Sequence, residues 1–258
     1  MSDQITERLS ALEKENSELK ETIRQKDLLI RRTFGKYLTD EVLNEILQQD
    51  DPEKLAGEKR EVTILFADMR DSTKLSESMS AMSFVDMLNH FLGEMIEIIN
   101  AWQGNILDFV GDSLVVVYGA PKENQFSAID AVASAVAMQR RMPAVNKWNM
   151  SQGYPSISIG IGINTGEAVL GTIGSETRSK YDMIGRSVNL AARIEGFTEG
   201  GQILISSETL REAGDKVLIN PSGEKLVKPK GIQSEVLLHD VIGIGTRRIP
   251  RYLTESNQ

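Results

Sequence analysis

Cysteine is absent from this 258-residue chain. Disulfides, a thiolate nucleophile and a zinc–thiolate centre are therefore excluded, and a reducing compartment is permitted. Histidine is nearly as scarce. The 2 present, His90 and His239, lie far apart with no second ligand at helical spacing, so neither is expected to do chemistry. No run of about 18 uncharged apolar residues occurs, so no membrane span is expected. The N-terminus, MSDQITERLS, lacks the apolar centre of a signal peptide, and a cytoplasmic location is expected. Positive charge is also short, with 29 Lys and Arg against 37 Asp and Glu and a net charge of −8. Nucleic acid is thereby disfavoured as a partner, because phosphate-backbone binding wants a cationic surplus. A single nucleotide needs only a few local cations or a metal.

What is present begins with ordinary globular proportions. A content of 40% hydrophobic and 26% charged residues suffices for one large domain with appendages. Residues 1–33 follow a pattern of their own. Leu9, Asn16, Ile23 and Ile30 alternate with Ile5, Leu12, Leu19 and Lys26 as the a and d positions of a heptad seam. The polar a position, Asn16, favours a parallel, in-register pairing. The expected division is a parallel dimeric coiled coil over 1–33, a linker helix over 34–56, a globular domain over 57–242 and a polar tail over 243–258.

Within the domain, strands are expected at 61–67, 104–110, 113–119, 155–163, 167–172 and 202–206. Helices are expected at 80–101, 124–141 and about 187–195, with a C-terminal hairpin near 216–241. This alternation, with a tight Gly111-Asp112 turn, predicts an α+β fold. Its core is a ferredoxin-like βαββαβ unit with a C-terminal extension, an antiparallel sheet with helices on one face.

Two apolar runs in this core, VTILFADMRD and GNILDFVGD, end in Asp68 and Asp112. In a βαββαβ sheet the first strand lies beside the hairpin of the next two, which brings the carboxylates together. Adjacent carboxylates repel unless a cation sits between them, and hard oxygen ligands suit Mg²⁺ or Mn²⁺. Spacing alone fits equally well with Asp68 capping a turn and Asp112 forming a hairpin.

Four segments further define the chain: FADMRDST, ILDFVGDSLVVVYG, GINTGEAVLGTIGS and YDMIGRSVNLAARIEG. In this order they resemble the catalytic domain of class III nucleotidyl cyclases, the adenylate and guanylate cyclases, over roughly residues 57–242. FGKYLTDEVLNEIL resembles the helical element that joins a coil to this domain in bacterial members. The resemblance implies a homodimer with two Mg²⁺ or Mn²⁺ ions per active site, held by Asp68, Asp112 and the backbone carbonyl of Met69. It implies that Asn189 orients the ribose and Arg193 stabilises charge on the α-phosphate, both reaching the site from the other subunit. Lys230, with Lys228 close by, matches a lysine at the terminal phosphates, and Arg178 is a further phosphate contact.

Asp108 and Asp182 hold the base-contacting positions, and here the chain departs from the family pattern. Adenylate cyclases usually carry a lysine where this chain has Asp108, and an acid there resembles the guanylate cyclase choice. Asp182 is the adenylate cyclase choice. A protonated Asp108 donating to adenine N1 reconciles the two. The expected function is conversion of ATP to 3′,5′-cyclic AMP and pyrophosphate in signal transduction, with GTP or a pyrimidine nucleotide as alternative substrates. A catalytically silent dimerisation module is the non-enzyme alternative. A diguanylate cyclase is set aside because FVGDS stands where a GGDEF hairpin belongs. An upstream sensor domain or a separate partner is expected to act through the coil.

Overall fold

The computed structural model describes residues 2–34, 57–175, 178–232 and 234–245. The chain divides into two compact units, Met1–Pro52 and Glu53–Gln258. In the first, a single helix, α1 (Ser2–Phe34), spans the whole heptad segment. Leu9, Leu12, Leu19 and Ile23 of the seam are all exposed along it. The linker helix expected over 34–56 lies outside the described residues beyond Phe34, as does the tail from residue 246.

The second unit runs β1 (Glu58–Met69), α2 (Ser72–Ser78), α3 (Ala81–Ala101), β2 (Asn105–Val110), β3 (Ser113–Tyr118), α4 (Ser127–Ser151) and β4 (Ile159–Ser175). It continues β5 (Arg178–Ile184), α5 (Arg186–Glu195), β6 (Ile203–Ser206), α6 (Ser207–Ala213), β7 (Val217–Ile219), β8 (Lys225–Val227) and β9 (Val236–Ile244). The strands lie in the order β2-β3-β1-β4-β6-β9-β7, with β5 paired to β4 and β8 to β9. β1 is antiparallel to both β3 and β4, so the βαββαβ core is present as expected. Gly243 and Ile244, expected in the tail, extend β9 instead.

The alternation of β1 explains the layers. Leu65, Ala67 and Met69 join Leu114 and Val116 of β3 and Ile159, Ile161 and Ile163 of β4 in the main core, under α3 and α4. Val62 and Ile64 pack on the opposite face with Val115, Val117, Ala168 and Ala191 of α5. Helices therefore cover both faces, which corrects the one-face expectation. Glycines on β4 make this possible. A Cβ at Gly162 would collide with the backbone of Glu195, and one at Gly160 with the side chain of Thr198. The bare strand lets α5 and the turn after it lie directly on the sheet.

Five further differences concern single elements. β4 starts at Ile159 and runs unbroken across the expected gap between two strands, and α4 continues to Ser151 through Pro143. α2, β5 and α6 are not expected from the sequence pattern.

Candidate functional site

Asp68 is the penultimate residue of β1 and pairs in register with Gly160. It lies on the same face as Val62 and Ile64, the face that carries α5. Its carboxylate is engaged on both sides. Oδ1 accepts a hydrogen bond from the Ser113 hydroxyl, and Oδ2 accepts from Arg70 Nη2 at 3.0 Å. Arg70 also pairs with Glu195 at the end of α5 and donates to the Thr198 carbonyl at 3.4 Å. One guanidinium thus ties the end of β1 to the end of α5. Met69, the next residue along, closes β1 opposite Ile159.

Asp112 sits in the two-residue turn between β2 and β3, where Val110 pairs with Ser113. Gly111 takes φ 67° there, a conformation glycine adopts without a Cβ penalty. The Asp112 carboxyl is pushed above the ordinary carboxylate range, chiefly by burial, while a hydrogen bond from Ser72 opposes the shift and the charge of Asp68 adds to it. Its Oδ2 is buried with no hydrogen-bond partner. The expected pair therefore converges, and it leaves an acceptor that nothing among the described residues satisfies. Among the described residues no three His, Cys, Asp or Glu side chains gather. A cation here would rest on two carboxylates and complete its shell with backbone and substrate oxygens, as Mg²⁺ and Mn²⁺ do.

Asn189 and Arg193 both lie on α5 and both are exposed. Four residues apart, they share one stripe of the helix. Ala191 and Ile194 are its buried positions, with Val188 and Leu190 partly buried against the same two clusters; Ala192 is half-buried. Lys228 and Lys230 flank the buried Pro229 in the loop after β8, and both are exposed. Arg178 opens β5 opposite Ser175; its side chain lies outside the described residues.

The base-contacting candidates are brought together by a residue that the sequence did not flag. Lys180 Nζ lies 2.7 Å from Asp108 Oδ2 and 2.9 Å from Asp182 Oδ2. β2 and β5 stand at different margins of the sheet, so this contact requires the β4–β5 arm to fold back across the α5 face. Leu107 of β2 and Tyr181 of β5 pack together with the cluster on that face. A register shift between Ile106 and Asp108 marks a bulge that re-aims Asp108. The signal in the sequence is the spacing of Lys180 and Asp182, two apart on one side of a strand, but the sequence pattern does not mark residues 178–184 as a strand.

The histidines are engaged in packing and hydrogen bonding. His90 stacks on Trp148 with ring centroids 3.9 Å apart, and the Ser207 hydroxyl lies 2.9 Å from His239 Nε2.

Residues 55–240 match the family described as the adenylate and guanylate cyclase catalytic domain. Adenylate cyclase 1 of Rhizobium meliloti is 31% identical over 214 residues, 82% of this chain and 32% of that protein. The guanylyl cyclase Cya2 superposes with a TM-score of 0.71 at 45% identity, over 73% of this chain and 95% of that one. The adenylyl cyclase CyaB from P. aeruginosa gives 0.70 at 35% identity, over 76% and 99%. The chain spans 32% of the length of that Rhizobium meliloti protein and 46% of that of an adenylate cyclase from Anabaena cylindrica.

Proposed function

Because the chain belongs to the adenylate and guanylate cyclase catalytic-domain family, we propose that it cyclises a nucleoside triphosphate at a homodimer interface. The substrate is ATP, and the products are 3′,5′-cyclic AMP and pyrophosphate. The observation that carries this reading is the carboxylate pair. Asp112 keeps a buried, unpartnered oxygen beside the charge of Asp68, an excess of negative potential suited to a divalent cation.

Domains of this family are generally metal-dependent. Asp68, Asp112 and the Met69 carbonyl would hold two Mg²⁺ or Mn²⁺ ions, which when bound acidify the ribose 3′-hydroxyl and neutralise phosphate charge. In the reaction the 3′ oxygen bonds to the α-phosphorus, its proton passes to solvent, and the bond to the β-bridging oxygen breaks with its electron pair leaving on pyrophosphate. Asn189 orients the ribose. Arg193, one turn along the same stripe, donates to the charge growing on the α-phosphate, and Lys230 and Arg178 meet the terminal phosphates. Positioning and fixed charge account for most of the acceleration in such phosphoryl transfers.

Asp182 as an acceptor for the adenine amine supports ATP, as does the adenylate cyclase relative from Rhizobium meliloti. GTP is the second reading, favoured by the acid at Asp108 and by the 45% identity to the guanylyl cyclase Cya2. Incubating the chain with equal ATP, GTP, CTP and UTP and either Mg²⁺ or Mn²⁺ tests both, with products resolved by chromatography. Cyclic AMP is expected to dominate. Asp68→Asn and Asp112→Asn are each expected to lower the rate at least about a hundredfold, the scale of several kcal/mol of lost charge stabilisation. Unchanged product formation in either variant would refute the site.

A further inference from the structure

The two acids at the base-contacting positions present an apparent contradiction: both are acceptors, whereas the adenine edge pairs a ring acceptor, N1, with a donor, the 6-amino group. We propose that Lys180 is the purine-reading donor of this chain, its ammonium bonding adenine N1 while Asp182 accepts from the 6-amino group. The proposal rests on the cyclase reading above and fixes the chemistry by which that site selects adenine.

Lys180 Nζ is 2.7 Å from Asp108 and 2.9 Å from Asp182. An ammonium carries three protons, so two are committed and one remains for a ligand. The side chain is 51% exposed, which leaves a planar base room to approach it. Hydrogen bonds from Lys180 to Asp108 and then Asp182 raise its pKa, so it stays charged. Lys180 and Asp182 stand two apart on β5 and share a face of it. Donor and acceptor are therefore neighbours, as N1 and the amino group are on adenine.

Asp108 acquires a different role in this arrangement. It is a positioning residue that holds the ammonium in place across the folded-back arm, and no protonated acid is needed to supply a donor. Against guanine in the same pose, the ammonium faces the N1–H and Asp182 faces O6. Both contacts are mismatched, and each leaves a polar group unpaired on both sides.

Atomic substitution in the ligand separates direct contact from structural support. In 1-deaza-ATP a C–H replaces N1. Wild type is expected to lose about ten- to a hundredfold in kcat/KM on 1-deaza-ATP relative to ATP, the range for a hydrogen bond from a charged donor. Lys180→Met is expected to lose a similar factor on ATP and to treat the two nucleotides alike, while Asp108→Asn loses only a few-fold on ATP. Equal wild-type rates on ATP and 1-deaza-ATP overturn the proposal, and so does a Lys180→Met variant that still discriminates between them. A wild-type preference for GTP overturns it too. Failure of wild type to form any cyclic nucleotide sinks the cyclase reading itself, whereas an active wild type indifferent to N1 sinks only the role of Lys180.

Discussion

Asp112 is held in its turn at a cost that a bound cation would offset. Burial, and then the neighbouring charge of Asp68, keep its pKa above the ordinary carboxylate value. A carboxyl that binds its proton more tightly in the folded state loses stability as pH rises from its unfolded pKa through its folded one, and the deficit stands in full above both. Above both pKa values the metal-free protein carries that deficit, and a cation between the two acids would offset it. Asp112→Asn is expected to melt about 1–2 °C above wild type without metal, a modest gain because the pair is partly in water. Mn²⁺ is expected to raise the Tm of wild type, and the same variant is expected to lose that shift. Equal Mn²⁺-induced shifts, read by calorimetry, would count against Asp112 as a ligand. Asp68 and Asp112 stand out in the sequence as acids at a strand end and in a glycine turn, but only the family resemblance singles them out as metal ligands, and Asn189 and Arg193 as nucleotide contacts. Lys180 does not stand out, since outside its fold it reads as one more solvated lysine.

At the scale of elements, β4 does the most to shape the site. Its middle, Asn164-Thr165-Gly166, reads in sequence as a break between two strands. The strand nevertheless continues, because tertiary contacts satisfy those polar side chains. Asn164 Nδ2 donates to the Ser187 carbonyl at 3.0 Å, and Thr165 Oγ1 lies 2.9 Å from Thr63 and 3.1 Å from Thr209. The unbroken strand then supplies both the glycine floor on which α5 lies and the arm that carries β5 back across it. Gly162→Ala would drive a methyl group into the backbone of Glu195. It is expected to cost about 1–3 kcal/mol in urea unfolding, and to lower kcat even where fully folded, because α5 carries Asn189 and Arg193. Gly93→Ala is the control. Its Cβ meets nothing within 4 Å inside α3, so a gain of about 0.5–1 kcal/mol is expected. Comparable losses in the two variants would mean that α5 does not depend on a bare β4.

For the molecule as a whole, the N-terminal helix carries an apolar stripe with no partner on its own surface. Leu9, Leu12, Leu19 and Ile23 are between 54% and 60% exposed, and the heptad spacing fits a second copy of the same helix. In the proposed homodimer, α1 would raise the effective concentration of the two copies of the chain. Removing residues 1–34 is expected to weaken self-association in sedimentation and to depress specific activity most at low protein concentration. Specific activity that stays flat on dilution after the deletion would refute that role. No described helix is long and apolar enough to cross a membrane.

The sequence by itself determined the heptad helix, the βαββαβ order and the carboxylates at two strand ends, because each is written in a repeat or turn within a short window. Only the tertiary structure decided that helices cover both faces of the sheet and that Lys180 bridges Asp108 and Asp182. Those outcomes depend on groups 72 residues apart along the chain meeting across a curled sheet. They are settled by which side chains can be buried and satisfied together, and no local window contains that information.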